Sequence, residues 1–293
     1  MTGKKVRYFF EGIALYVLFG LFKLLPVDMA SNLGGRLGKL IGPRLGASQK
    51  ALKNLQIAFP DKPFPEQKRI LTNMWENLGR VFAEYAHLKE IASRRVEISG
   101  FEEHIADLQT YQKPAILFSG HLSNWEVLGP SLYLQKGMEG LLVYRPPNNP
   151  YADQLLLRAR EVGDGVSLTT KSEQGVREMI KCLRHNGIIG LLVDQKFNRG
   201  LPISFFGRDA MTSPAFVELA LKFDARLIPV RLERTHGAHF RLTIEPALHT
   251  TGKTVEELLK ETHTILEKWI QEHPEQWLWL HRRWGKFEEI SLS

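Results

Sequence analysis

The sequence predicts an α/β fold: a mixed, mostly parallel sheet flanked by helices, entered through a hydrophobic N-terminal helix. Three observations carry this. From about residue 95, short apolar runs alternate with amphipathic stretches, the texture of strands alternating with helices. Residues 47–91 instead carry apolar side chains at three- and four-residue spacing, one face of a helix. A chain of 293 residues with 43% hydrophobic and 24% charged residues is ordinary for a folded protein. That composition excludes a disordered chain, a collagen-like chain and a polytopic membrane protein.

Taken in order, Tyr8 to Leu25 is an apolar stretch of 18 residues behind Lys4, Lys5 and Arg7. As a helix it is about 27 Å long, against a bilayer core of about 30 Å. Three readings fit it: a short membrane span, a helix lying in the interface, and a buried globular helix. Lys23 and the lack of a nearby small-x-small site argue against a cleaved signal peptide. The basic residues in front favour a cytoplasmic N-terminus. Those that follow (Arg36, Lys39, Arg44) suit a helix on a cytoplasmic surface. Gly34, Gly38, Gly42 and Gly46 then recur every fourth residue, a small-xxx-small face for close helix approach or a glycine-rich loop. Pro43 bars one helix from carrying all four. We divide the chain into a membrane-associated helical segment, 1–45, and an α/β domain, 46–293.

Within 47–91, Leu71, Met74, Trp75, Leu78, Phe82 and Tyr85 make the apolar face, and Pro65 fits a first helical turn. Glu84 and His87 are candidates for a functional role, but a solvated helix face is the simpler reading. The strand candidates are 114–120, 140–145, 187–195, 225–234 and 239–245. Helices are expected near 123–134, 151–161, 172–186 and 213–223, and from Thr254 to Glu272. His236-x-x-His239 reads as a turn between strands, because Gly237 lies between them and no carboxylate partner completes a metal site.

Chemistry in such sheets collects beyond the carboxyl ends of the strands. The run AILFSG ends at His121, followed by Leu-Ser-Asn-Trp-Glu126. A histidine in that turn is placed as a general base, with an unperturbed pKa near 6.5. Glu126 would fold back to orient the imidazole, and the amides of the following helix would meet developing negative charge. Ser123-x-x-Glu126 equally fits a capping box with no catalysis. Ser119 and Ser123 are candidate hydrolase nucleophiles, although G-x-S-x-G is absent. Asp194 ends the strongest strand, before a loop holding Arg199, Gly200 and Phe205-Phe206-Gly207. Arg145 precedes a proline-stiffened loop and suits phosphate or carboxylate binding, or a surface salt bridge.

The one cysteine, Cys182, excludes an internal disulfide and a Cys-based zinc cluster. A net charge of +7 points to an anionic partner. Four of six tryptophans fall after residue 268, in and around WLWLHRRW (277–284). That end reads as a stacking surface for nucleic acid, an interfacial belt, or core packing. His281-Arg282-Arg283 could meet phosphates in either of the first two.

Over nearly its whole length the sequence resembles the late acyltransferases of lipid A biosynthesis, the lauroyl/myristoyl acyltransferase family of Gram-negative bacteria. The likeness runs through ALKNLQIAFPD (51–61), MWENLGRVFAEY (74–85), GHLSNWE (120–126), VYRPPNNP (143–150), VDQK (193–196), ISFFGRDAMTSPAF (203–216), LIPVRLER (227–234) and PEQWLWLHRRW (274–284). More broadly, His121 and Glu126 match the H-x4-D/E signature of glycerolipid acyltransferases. The resemblance implies a glycerolipid-acyltransferase-like fold and direct acyl transfer, with no acyl-enzyme and no cofactor or metal. It implies an acyl carrier protein thioester as donor and a hydroxyl of a lipid A precursor as acceptor. His121 and Glu126 would be the catalytic pair; Arg145, Asp194, Gln195, Asn124 and Arg199 would bind substrate. It places the protein at the anionic inner membrane, catalytic domain on the cytoplasmic side, without nucleic acid. The rival readings are another membrane glycerolipid or glycolipid acyltransferase, a membrane lipid hydrolase, and a nonenzymatic binding module.

Overall fold

The computed structural model describes residues 3–105 and 113–285. Seven strands form one sheet in the order β1-β9-β8-β2-β5-β3-β4, and β6 and β7 form a separate hairpin. These are β1 Val96–Ser99, β2 Ala115–Ser119, β3 Gly140–Tyr144, β4 Val166–Thr170, β5 Ile188–Leu192, β6 Leu201–Phe205, β7 Arg208–Thr212, β8 Arg226–His236 and β9 His239–Ile244. Every pairing in the large sheet is parallel except β8 with β9. The expected mixed, mostly parallel sheet is therefore present, with its antiparallel pair towards the C-terminus. That turn is the one expected at His236-x-x-His239, where Gly237 has φ +47° and the two rings stack.

The helices are α1 Gly3–Leu24, α2 Val27–Ile41, α3 Ala47–Ala58, α4 Phe64–Glu84, α5 Leu88–Arg94, α6 Phe101–His104, α7 Leu128–Lys136, α8 Pro150–Arg160, α9 Glu173–Arg184, α10 Ala215–Phe223 and α11 Val255–Glu272. Central β2 is buried at all five residues, as a parallel strand covered on both faces must be. Its alternation sends Ile116 and Phe118 into a core shared with α4, α10 and α11. Ala115 and Leu117 enter a second core with α5, α7 and β8. Thr254 caps α11 in a reciprocal capping box with Glu257.

No helix among the described residues is long and apolar enough to cross a membrane. The short-span reading of the N-terminus is thus not met, because Lys4, Lys5, Arg7, Glu11 and Lys23 all fall inside α1. One side of α1 lies on the body. Gly12 leaves no room for a side chain against Tyr151, and Asn149 Nδ2 donates to Tyr8 O and to Glu11 Oε2, both at 3.1 Å. Phe10, Ile13, Val17, Leu21 and Leu24 on the other side are exposed. Three glycines of the repeat serve packing within the chain: a Cβ on Gly34 or Gly38 would strike the α4 backbone at Gly79 or Trp75, and one on Gly42 the Trp75 ring, whereas Gly46 faces open space. Pro43 acts as expected, ending α2 at Ile41 and leaving a 3-10 turn at Gly42–Arg44.

Several local expectations are corrected. The loop holding Phe205-Phe206-Gly207 is the β6–β7 hairpin, turned at Phe206 and Gly207, both at positive φ. Strands β1 and β4 went unread because they are short and half polar (VEIS and VSLTT), without the continuous apolar run of β2, β3 and β5. Phe82 is exposed; Ile70 and Val81 take places on the buried face of α4. Glu84 is fully buried rather than solvated.

The tryptophan-rich end packs inward: Trp269, Trp277 and Trp279 are at most 1% exposed. Arg283 is buried too, its guanidinium donating to Met211 O (2.9 Å), Thr212 Oγ1 (2.8 Å) and His263 Nε2 (2.9 Å). Of His281-Arg282-Arg283, only Arg282 is exposed, which removes the phosphate-binding cluster expected there. Burial, aided by the Arg283 charge, pushes His263 down to about 4. An unfolded histidine titrates near 6.5. Between those values the unfolded chain binds the extra proton, so stability should fall as pH drops from about 6.5 to 4. The loss is up to about 1.4 kcal/mol per pH unit, roughly 3 kcal/mol in all. Urea unfolding across that window should show a flatter acid limb for His263→Gln. An unchanged slope would remove His263 as the cause.

Candidate active site

Parallel register builds the site. Ser119 and Leu192, the last residues of β2 and β5, pair with each other, so His121 and Asp194 lie two residues beyond the two strand ends. His121 Nδ1 lies 2.7 Å from Asp194 Oδ1, and the His121 backbone N–H donates to Oδ2 at 2.8 Å. Trp277 Nε1 also donates to Oδ2, at 2.7 Å. Burial alone would push the Asp194 carboxyl up. The charge and hydrogen bonds of His121, with His281 nearby, hold it well below the usual carboxylate range. An ionised Asp194 makes Nδ1 the donor. Nε2 then carries the lone pair, which accepts from Gln195 Nε2 at 3.2 Å.

The segment after His121 does not enter a helix. Ser123 has φ +56°, residues 125–127 form a 3-10 turn, and α7 starts only at Leu128. Ser123 N donates to Gln276 O, Leu278 N to His121 O, and Asn77 Nδ2 to Ser123 O. The amides of Leu122, Ser123 and Val127 are all used in such bonds, and the turn leads into the 3-10 helix at Trp125 rather than straight into an α-helix. Nor is there a capping box, since Ser123 Oγ has no partner. Ser119 Oγ likewise has none, so no base activates either serine as a nucleophile.

Glu126 does not fold back to His121. Arg160 grips it from Nε (2.6 Å) and Nη2 (2.7 Å), and Trp125 Nε1 donates to it at 2.8 Å. Burial would raise the Glu126 carboxyl, but the Arg160 hydrogen bonds and charge outweigh it and lower it. The left-handed Ser123 and the 3-10 turn swing Glu126 to the side of α8. The carboxylate that contacts the imidazole is Asp194, 73 residues away in sequence.

His121 and Gln195 stand at the polar end of a cavity of about 430 Å³. The Glu126–Arg160 pair forms part of its wall, and Arg145 and Lys171 also line it. Most of the remaining lining is apolar, with Leu117, Leu132, Met138, Leu142, Leu168 and Ile188 among its walls. The expected site residues are thus only partly gathered. Gln195 and Arg145 line the cavity, whereas Asp194 sits fully buried behind His121. Asn124 is buried off the cavity, donating to Glu84 Oε2 at 2.9 Å, and Arg199 is exposed outside the lining.

Sequence reasoning missed Arg160 and Arg234, set Glu84 on a solvated face, and did not link Trp277 to Asp194. Arg234 bonds Glu84 Oε1 and Oε2 at 2.5 and 3.0 Å, and Asn77 Oδ1 at 2.9 Å. No local signal marks these partners, which lie 34 to 157 residues apart. Atoms of His121, Asp194 and His281 lie within 4.8 Å of one another, close enough to hold a metal. Here Asp194 already accepts three N–H groups, a donor set that fits hydrogen bonding.

With this geometry in hand, comparison with known proteins identifies the class. The profile of the family described as bacterial lipid A biosynthesis acyltransferase matches residues 3–286, and the chain belongs to that family. Among its relatives, the lipid A biosynthesis lauroyltransferase of Escherichia coli K12 is 27% identical over 94% of this chain and 92% of that protein. The palmitoleoyltransferase of the same organism is 24% identical (94% and 91%), and its myristoyltransferase 25% (94% and 86%). The crystal structure of a 1-acyl-sn-glycerophosphate acyltransferase from Thermotoga maritima covers 83% of this chain and 97% of that one, at 14% identity and a TM-score of 0.39.

Proposed function

We propose that this protein moves a fatty acyl group from an acyl carrier protein thioester to a hydroxyl of a lipid A precursor, with His121 as general base. The observation that carries the reading is His121 itself. Its Nδ1 is held by a buried carboxylate and its Nε2 stands at the polar end of an apolar cavity. In the reaction, Nε2 takes the proton of the acceptor hydroxyl as the oxygen attacks the thioester carbonyl. Collapse of the tetrahedral intermediate breaks the C–S bond, the departing thiolate takes the proton back, and an ester remains. Asp194 holds the tautomer and supports the transient imidazolium. The Gln195 amide, beside Nε2, is a donor for the oxyanion. Glu126 acts through Arg160, fixing a cation on the cavity wall. Arg145 and Lys171 suit an acidic carrier protein or the phosphates of the acceptor.

The acyl chain would occupy the apolar part of the cavity. Relatives named for lauroyl, myristoyl and palmitoleoyl transfer are about equally similar to this chain, so we assign chain length to the cavity floor. Gly190 lines the cavity, and a Cβ there would press on Leu142 at 2.6 Å. Gly190→Val should lower kcat/KM for the preferred donor by about 10–200-fold and favour shorter chains, at about 1–3 kcal/mol per methylene. A panel of acyl carrier protein thioesters reads this directly, and an unchanged preference would place the acyl chain elsewhere.

The exposed apolar faces of α1 and α2 support seating on the cytoplasmic face of the inner membrane without a span. The reading is tested with purified protein in mixed micelles, several thioester donors and a tetra-acylated lipid A precursor. Wild type should add one acyl chain, and His121→Ala should lose at least about a thousandfold in rate. Transfer only to a glycerophosphate would move the assignment to glycerolipid synthesis. Release of free fatty acid would favour a hydrolase, and full activity of His121→Ala would end the general-base mechanism.

A further inference from the structure

A second cavity, of about 800 Å³, lies between α1, the 3-10 turn Tyr85–His87, α5 and α8. It meets the first at a shared wall: Tyr85 lines this one, and its hydroxyl lies 3.4 Å from Arg160, which lines the other. Its charged lining is Lys23, His87, Lys89, Glu90, Arg94, Arg158 and Glu161. His87 is engaged with Phe22 O at 2.9 Å, and Glu90 is drawn towards Arg95 at 3.6 Å. Among the described residues, Lys23, Lys89, Arg94 and Arg158 have no ion pair within 4.0 Å. Against these four cations stands Glu161, the lining carboxylate left without an ion pair among the described residues, so the concavity keeps a surplus of positive charge that favours an anion.

The placement says which anion. Tyr16, Phe19 and Lys23 form the α1 wall of the cavity. On the 100°-per-residue spacing of a helix, they fall on the side of α1 turned to the body, away from the exposed stripe Phe10, Ile13, Val17, Leu21 and Leu24. The α2 stripe of Met29, Leu33, Leu37 and Leu40 is exposed as well. Apolar stripes of this kind enter a bilayer only to the boundary between acyl chains and head groups. A concavity directly behind α1 then lies at head-group depth.

We infer that the cavity bounded by Lys23, Lys89, Arg94 and Arg158 binds the phosphate head group of an anionic phospholipid, seating the protein at a defined orientation on the membrane. The inference rests on the membrane association proposed above and on no step of the acyl transfer. The anionic phosphate fits between the two lysines and two arginines, and the acyl chains of the lipid run alongside the α1 stripe. The common wall through Tyr85 and Arg160 would hold the mouth of the catalytic cavity at a fixed height over the bilayer.

The test is co-sedimentation of the full chain with vesicles lacking any acceptor: phosphatidylcholine alone, and phosphatidylcholine mixed with phosphatidylglycerol. A quadruple variant (Lys23→Gln, Lys89→Gln, Arg94→Gln, Arg158→Gln) is compared with a control that removes surface cations elsewhere (Lys181→Gln, Arg184→Gln, Lys222→Gln). Circular dichroism and thermal melting establish that both fold. Expected is at least a tenfold loss of affinity for phosphatidylglycerol vesicles in the quadruple variant, and less than a twofold change in the control. Equal losses in both would show diffuse attraction to net charge and overturn the site. An unchanged quadruple variant would do the same, as would a loss seen only when a diphosphoryl lipid A precursor is added to the vesicles, which would give the cavity to the acceptor. Failure of wild type to bind any vesicle would sink the membrane reading as well, while the acyl-transfer assay in micelles would stand apart.

Discussion

Asp194→Asn is expected to lower kcat by about three to four orders of magnitude while leaving the protein folded. Asp194 is an acceptor only, and three N–H groups point at it: His121 N, His121 Nδ1 and Trp277 Nε1. Asparagine has the same shape but turns one oxygen into a donor. Either the amide faces an N–H group, or the imidazole flips to the tautomer with its proton on Nε2 and no lone pair for the acceptor hydroxyl. The transient imidazolium also loses its counter-charge. A second signature separates this from mere packing damage. An ionised Asp194, its carboxyl held low in the fold, contributes stability that is fully present above the unfolded carboxylate value of about 4. That contribution is lost as pH falls below it. The asparagine variant should lack this part of the acid limb in urea unfolding. A kcat within about threefold of wild type would mean that the His121–Asp194 bond is structural only.

Arg234→Met should cost about 3–5 kcal/mol of stability, because it leaves the buried Glu84 carboxylate without its cation. Glu84 also accepts from Ser31 Oγ on α2 at 2.7 Å and from Asn124 Nδ2 in the catalytic turn at 2.9 Å. Arg234 holds Asn77, which in turn donates to Ser123 O. One ion pair thus ties together α2, α4, β8 and the turn that carries His121 out of β2. Glu84→Gln in the same background removes the stranded charge and should recover part of the loss. The double variant would then be more stable than Arg234→Met alone, and the two effects would not add. Additive losses in chemical unfolding would show that the two side chains do not act as a pair. Because Ser123 is held at positive φ by this network, the single variant should also lose activity below its melting temperature.

Much of this was open to the sequence because it depends on local pattern. The apolar runs that read as strands are β2, β3, β5, β8 and β9, since β2, β3 and β5 are almost wholly apolar and β8 and β9 carry apolar residues over six to eleven positions. The stops made by Pro43 and Gly237 and the helix starting after Thr254 followed from backbone chemistry within a few residues. Placing His121 at a strand end needed nothing more. The second tier had no such mark. A five-residue spacing suggested that Glu126 meets His121, but that distance depends on the backbone path between them. The left-handed Ser123 and the 3-10 turn send Glu126 to Arg160 instead.

Which carboxylate serves the histidine was decided by the register of β2 against β5, a hydrogen-bonded alignment of strands some 70 residues apart. The tryptophan-rich tail shows the same division. Its composition fits a stacking surface, a lipid belt or a core equally well. Tertiary packing put Trp277 under Asp194 and buried Arg283 against His263. Composition, periodicity and turn chemistry act over one or two turns of chain, and at that range the sequence by itself determined the elements and the histidine. Partners brought together by sheet register and helix packing exist only once the chain has closed on itself, so the carboxylate, the cavity and its supporting ion pairs were decided by the tertiary structure.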